Sequence, residues 1–221
     1  TILRLNTRWS KNEIMIRKPF EKYSLGSDYP VIGVDLAMGI KGIFRNDYEF
    51  YRVVASVNYD LPVAPVGISK IVLTGGKIFG KIPYPLLKLH EGNGTYFYAP
   101  CAFSCMNYYE FASDVWLACF YEHHFKGFFL GKIPLMKKLK WREVFVFKGL
   151  VGTLSDKNDG SKLDSEAILL FPEGMGPVSK PYFETGIGIE NIFRLLRVDA
   201  IWRLTHREKR PGQNIQNFAL N

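Results

Sequence analysis

The sequence predicts an all-β fold: an antiparallel transmembrane β-barrel of about nine strands, a partial barrel with long external loops. Three observations predict it. Arg197-Val-Asp-Ala-Ile-Trp-Arg-Leu-Thr205 separates into two faces when every second residue is read. Val198, Ala200, Trp202 and Leu204 lie on one side; Arg197, Asp199, Arg203 and Thr205 lie on the other. Side chains alternate in this way across a strand. The same pattern recurs in segments of about ten residues, the length of a strand crossing a bilayer in a barrel with a polar interior. Finally, short links (60–67, 191–196) are interspersed with long ones (80–113, 155–180) rich in Gly, Pro, Asn and Asp. Short turns on one side and long loops on the other give that rhythm in outer-membrane barrels.

The elements follow from the period-two rule. Residues 2–9 are a weak first candidate. In 31–40, Ile32, Val34, Leu36, Met38 and Ile40 oppose Gly33, Asp35, Ala37 and Gly39. In 50–59, Tyr51, Val53, Ala55, Val57 and Tyr59 oppose Arg52, Ser56 and Asn58. Residues 68–79 form a weaker candidate. In 114–125, Val115, Leu117, Cys119, Tyr121 and Phe125 oppose Asp114, Glu122 and His124; in 142–153, Phe145, Phe147 and Val151 oppose Arg142 and Lys148. In 182–190, Phe183, Ile187 and Ile189 oppose Glu184, Glu190 and two glycines; 197–205 follows, and a last strand begins near Gln216. An odd count, with both chain ends inside alternating runs, predicts the C-terminal portion of a larger barrel and a single domain over 1–221.

Two residue sets follow from this frame. Met38, Phe145, Phe147 and Trp202 are expected to face lipid. Arg142, Lys148, Glu184, Glu190, Asp199 and Arg203 fall on the inward faces of three consecutive strands and are expected to form a polar lumen network, paired across strands. Composition agrees: aromatics make up 15%, with 17 Phe and 12 Tyr, and no run of 18 apolar residues is present to make a membrane-spanning helix. The formal charge of +8 suits nucleic acid, anionic lipid or lipopolysaccharide, and with the barrel the expected partner is outer-membrane lipid or lipopolysaccharide. No nucleic-acid partner is expected, because no reader motif accompanies the charge. Of the three cysteines, Cys101 and Cys105 are close enough in sequence to pair in an oxidising compartment or remain thiols; Cys119 reads as a small apolar strand residue.

Several motifs invite chemistry and fail on inspection. Gly75-Gly-Lys-Ile-Phe-Gly-Lys81 has the spacing of a phosphate loop, but Ile82 stands where Ser or Thr is needed, and Pro83 and Pro85 forbid the helix that should follow. Gly186-Ile-Gly188 lacks the third glycine and the βαβ unit of a dinucleotide site, and inward glycines that make room for neighbours explain it. The acidic run 156–166 puts Ser155 and Lys157 where a calcium loop needs carboxylates. His123 and His124, adjacent on a strand, face opposite sides and cannot chelate together. The expectation is therefore no catalytic residue, no metal, no cofactor and no enzymatic activity.

A series of residues carries a resemblance: Gly76-Lys-Ile-Phe-Gly-Lys-Ile-Pro-Tyr-Pro-Leu-Leu87, His90-Glu-Gly-Asn93, Met106-Asn-Tyr-Tyr-Glu-Phe111, Glu122-His-His-Phe125, Trp141-Arg-Glu143, Lys180-Pro-Tyr-Phe-Glu184 and Leu196-Arg-Val-Asp-Ala-Ile-Trp-Arg-Leu204. It resembles the C-terminal barrel of an uncharacterised Gram-negative outer-membrane family in which the barrel follows a carboxypeptidase-regulatory-like domain. That family is distantly similar to the BamA/TamA surface-antigen barrels. The resemblance implies location in the cell outer membrane and a BamA-like role in insertion, translocation or export of envelope proteins. It also implies that 80–113 occupies the place of a long loop folded back into the lumen. Two rivals stand beside it: a structural or partner-binding outer-membrane subunit without assembly activity, and a periplasmic or secreted β-sandwich module.

Overall fold

Alternation produces strands where it is found. The computed structural model describes residues 1–42, 46–95, 97–161, 166–208 and 214–221. Its main sheet has nine strands: β1 (Leu3–Trp9), β4 (Val31–Gly39), β5 (Phe50–Val63), β6 (Gly67–Gly80), β9 (Val115–His124), β10 (Arg142–Thr153), β12 (Tyr182–Ile192), β13 (Leu196–Arg203) and β14 (Phe218–Leu220). They lie in that order and every neighbouring pair is antiparallel. The longest hairpin runs from Phe50 opposite Gly80 to Val63 opposite Gly67. Gly67 has φ +128, and a Cβ there would come within 1.9 Å of the His124 carbonyl oxygen, so the end of this hairpin requires glycine. Shorter elements sit in the connections. β2 (Ile14–Arg17) and β3 (Lys22–Gly26) form an exposed ribbon; β7 (Lys88–Leu89), β8 (Phe111–Ser113) and β11 (Gly176–Pro177) form a small sheet; α1 (Pro134–Leu139) is a single short helix.

The two faces of the main sheet meet different surroundings. Residues 81–95 and 97–113, in the connection from β6 to β9, fold back across one face as a strap. Ile82, Leu87, Phe103, Met106 and Phe111 of the strap pack with Phe50, Ile78, Trp116, Phe120, Leu150 and Tyr182 of the sheet. Each large side chain buried here contributes about 1.5–3 kcal/mol. Residues 155–161 and 166–178 close one end. Asn158 accepts from the Ile82 N–H at 3.0 Å and donates to the Gly80 carbonyl at 3.2 Å, while Asp114 accepts from the Ser155 N–H at 3.0 Å. The opposite face remains open and apolar, with Leu36, Met38, Tyr51, Leu73, Leu117, Ile187 and Trp202 exposed.

The expected barrel does not form. β1 and β14 stand at the two ends of one linear order and do not pair with each other. Alternation reports only that two faces differ; closure also needs a tilt and shear that bring first strand to last. Here the polar face lies under the chain's own strap instead of enclosing a lumen. An open sheet leaves rows of unpaired N–H and C=O groups at its edges, and hydrocarbon does not tolerate them. The expectations of strands crossing the outer membrane, of location there, and of lipid or lipopolysaccharide as partner are overturned with the barrel. So is the BamA-like role in insertion. No described helix is long and apolar enough to cross a membrane.

Candidate functional site

The covered face carries a network of buried charge that holds the strap. Lys148, Glu184 and Arg203 stand in direct register on β10, β12 and β13, and all three side chains are buried. Each reaches into the strap. Lys148 Nζ donates to the carbonyl oxygens of Ala102 (2.5 Å) and Ala99 (3.3 Å) and to Ser104 Oγ (3.1 Å), beneath the Tyr98 ring. Glu184 accepts from the backbone N–H groups of Ser104 and Cys105, both at 2.8 Å, and from the Tyr182 hydroxyl at 2.7 Å. Arg203 donates from Nη2 to Glu110 Oε1 at 2.5 Å, and from Nη1 to Glu110 Oε2 at 3.1 Å and the Cys105 carbonyl at 3.2 Å. Burial pushes the Lys148 ammonium pKa down and the Glu184 carboxyl up, each opposed by the charge of the other.

A second cluster lies farther along the same face. Arg197 donates to Asp199 Oδ2 at 2.8 Å and to Glu122 Oε2 at 2.9 Å, and the Tyr98 hydroxyl donates to Glu122 Oε1 at 2.6 Å. His124 Nδ1 lies 3.0 Å from Glu190 Oε2, and its Nε2 lies 3.4 Å from Glu122 Oε2. Hydrogen bonds to Glu122 and Glu190 raise the imidazole to about 9 despite its burial. Burial works against ionisation of Glu122, but hydrogen bonds from His124, Tyr98 and Arg197 outweigh it and hold the carboxyl at about 2. Asp199 needs room: a Cβ on Gly188, its register partner, would stand 2.1 Å from Asp199 Oδ1. Gly186 similarly accommodates Ile201. These glycines clear space for neighbours in an antiparallel sheet.

Of the six residues assigned to a polar network, the structure places Lys148, Glu184 and Arg203 under the strap and Asp199 and Glu190 in the second cluster. Arg142 is exposed at the start of β10, opposite Glu190. Of the four assigned to the other face, Met38 and Trp202 are 37% and 40% exposed. Phe145 and Phe147 are half-buried; Phe147 stacks on Phe183 with centroids 5.8 Å apart. Sequence reasoning missed Glu110, Tyr98 and Glu122 as members of the network. Glu122, already on the polar face of its strand by alternation, carried the usable signal; Glu110 and Tyr98 sit in the strap and carried none. His123 and His124 do face opposite ways: His123 Nδ1 meets Ser69 Oγ at 2.8 Å, away from the cluster that holds His124.

No catalytic arrangement emerges from these contacts. The ionised groups of the network spend their hydrogen bonds on one another and on the strap backbone. His90 Nε2 lies 3.0 Å from Ser113 Oγ, but both residues are buried, and burial with nearby Lys88 pushes the imidazole down to about 3. Cys101, Cys105 and Cys119 are free thiols; Cys105 Sγ is directed at the Ile201 carbonyl oxygen, 3.6 Å away. Among the described residues no group of three or more His, Cys, Asp or Glu is placed to hold a metal ion. Asp164, part of the run weighed as a calcium loop, lies outside the described residues.

Residues 1–157 match the C-terminal domain of a family of unknown function, DUF5686. The chain belongs to this family. No curated protein matches it. Membership of DUF5686 replaces the expected kinship with BamA/TamA-type outer-membrane barrels, which the match does not support. The matched stretch includes the strap and Lys148, whereas Glu184, Asp199 and Arg203 lie beyond it.

Proposed function

We propose that this domain is a non-catalytic binding module whose partner is another polypeptide, added as a strand along the edge of β1 with which no described strand pairs. The edge itself carries the reading. All seven residues of β1 are exposed, it contains no proline, and its register with β4 is unbroken from Leu3 to Trp9. Proteins normally blunt such an edge with proline, a bulge or free charge. Here the charges are already spent: Arg4 pairs with Asp35, and Arg8 pairs with Glu13 at 2.7 Å. Among the described residues nothing pairs with that backbone row, which suits strand addition, a mode that takes its affinity from main-chain hydrogen bonds and its specificity from pockets for alternate side chains.

Such a pocket adjoins the edge. Leu3, Leu5, Leu36, Met38, Tyr51 and Val53 line an apolar groove of about 400 Å³. The partner strand is one with apolar residues at every second position, to fill this groove, and acidic residues between them, drawn by the net charge of +8. The test is a photo-crosslinking amino acid at Thr7, on the exposed outer row of β1, in cells that naturally make the protein. The expected product is an adduct to one alternating segment of a different polypeptide, lost on Leu5→Lys. Adducts only between two copies of this chain, or no polypeptide adduct, would refute the reading.

A further inference from the structure

The basic balance of the chain is concentrated in one connection. Residues 126–142, between β9 and β10, hold six cations and no acid: Lys126, Lys132, Lys137, Lys138, Lys140 and Arg142. Their charge of +6 leaves +2 for the rest of a chain whose total is +8. Among the described residues none of the six forms a salt bridge; Lys132 rests on the Phe128 ring. Glu190, opposite Arg142 in register, is held by His124 at 3.0 Å. Glu143, the next acid along the chain, turns its Oε1 to the backbone N–H groups of Phe129 and Leu130. Like charges gathered at one end of a molecule draw a partner of opposite sign.

Apolar side chains lie among these cations. Phe129, Ile133, Leu135 and Leu139 are exposed, as are Phe193 and Leu195 at the turn from β12 to β13. The two connections touch: Asn191 Nδ2 donates to the Lys140 carbonyl oxygen at 2.7 Å. The turn is itself unusual. The Leu195 N–H donates to the Ile192 carbonyl at 3.1 Å, and the two residues between them, Phe193 and Arg194, have φ 50 and 66. Hairpins fill such a tip with Asn-Gly or Asp-Gly, and a bulky side chain at positive φ is an outlier. Strain of this kind clusters where a protein meets a ligand. Here it holds Phe193 79% exposed and Leu195 90% exposed, with Arg194 between them.

We propose that this end of the sheet docks an acidic segment of another polypeptide, with apolar residues set between its carboxylates. The carboxylates pair with the lysines, and the apolar residues cover Phe193, Leu195 and the face of α1 that carries Leu135 and Leu139, four residues apart. The relief favours a polypeptide over an anionic bilayer. An interfacial helix buries a continuous apolar face in the lipid, whereas α1 has six residues. Phe129, Ile133, Leu135 and Leu139 are 42–61% exposed, half-sunk among their neighbours and within reach of a partner's side chains. The site lies four strands from β1 in the sheet and does not depend on strand addition there.

Fluorescence anisotropy of the full chain with a labelled peptide of about 16 residues, made of Glu-Glu-Leu-Phe repeats, tests this. The peptide is expected to bind with Kd of ~10 µM or below, at least about tenfold more tightly than a Glu-Glu-Ser-Ser peptide of the same charge. Binding should weaken about tenfold or more as salt rises from ~50 to ~500 mM. The paired substitution Lys137→Gln/Lys138→Gln and the single Phe193→Ser, all at exposed positions, should each weaken it about fivefold or more, with unchanged melting temperatures. Leu5→Lys should leave it unaltered, which separates this site from the β1 groove. No binding at ~1 mM peptide overturns the proposal, as does equal affinity for the Ser-containing peptide or in either variant. Loss of binding in Leu5→Lys overturns it too, because the peptide would then sit at β1. Sedimentation with phosphatidylglycerol vesicles in place of peptide binding makes this end a membrane-docking surface and equally refutes the proposal.

Discussion

Replacing Arg203 with Met probes the clamp that holds the strap to the sheet. Both Arg203 and Glu110 have fully buried side chains. Removing the guanidinium deletes two bonds to Glu110, one to the Cys105 carbonyl and one to the Thr205 carbonyl at 3.1 Å. Glu110 would keep the Asn107 N–H at 3.0 Å and otherwise hold its charge in an apolar setting. Breaking a buried pair from one side costs about 3–5 kcal/mol, a large part of the ~5–15 kcal/mol that holds a domain folded. For a urea slope near 2 kcal/mol/M, the midpoint should fall by about 2 M. Tryptophan fluorescence in urea reads the midpoint, and hydrogen exchange at residues 103–111 reads release of the strap. The double variant R203M/E110M should recover stability relative to R203M, because desolvating two ions offsets most of what their pairing returns. A midpoint shift below ~0.5 M in R203M, or a double variant less stable than the single, would refute the clamp.

Other outcomes are accessible to routine measurement. Gly188→Ala forces a Cβ to 2.1 Å from Asp199 Oδ1 and should cost about 1–3 kcal/mol in thermal unfolding, whereas Gly131→Ala meets nothing within 4 Å and should be neutral. His124 has a folded value near 9, above the 6.5 of the unfolded chain, so its stabilisation is complete below pH 6.5 and disappears as pH rises through 9. The ceiling is about 3 kcal/mol at 1.36 kcal/mol per pH unit. Partial contact with water lowers the expectation to about 1–2 kcal/mol, and denaturation from pH 6 to 10 should show that fall flattened in His124→Gln. A thiol reagent at pH 8 should modify exposed Cys101 and leave Cys105 untouched until unfolding, because burial pushes the Cys105 thiol up to about 12.

The nine strands of the main sheet were legible in the sequence because period-two alternation is a local property. A residue such as Trp202 or Asp199 declares its face from its immediate neighbours alone. Closure is not local. Nothing in Leu3–Trp9 or Phe218–Leu220 tells whether one meets the other, and the expected barrel failed there. The buried charges were half legible. Lys148, Glu184 and Arg203 were placed on one face and in adjacent strands, but cross-strand pairing was the expected use of their charge. In the structure they spend their hydrogen bonds on a strap that lies 35 or more residues earlier in the chain. Glu110 could be found only by knowing that the strap docks. The helix Pro134–Leu139 went unread although Pro134 opens it, Lys137 and Lys138 end it, and Lys140 caps it in the left-handed conformation.

The order of synthesis gives the strap a further consequence. Its residues leave the ribosome before Lys148, Glu184 and Arg203 exist, and at ~5–20 residues per second the wait for Arg203 is on the order of 5–20 s. During that interval the amides of Ser104 and Cys105 and the carboxylate of Glu110 have no fixed partners. A nascent chain of this protein must therefore carry an undocked aromatic segment until β13 is made. Docking of that segment is accordingly a late event, and a chaperone or a premature stop would act on it first.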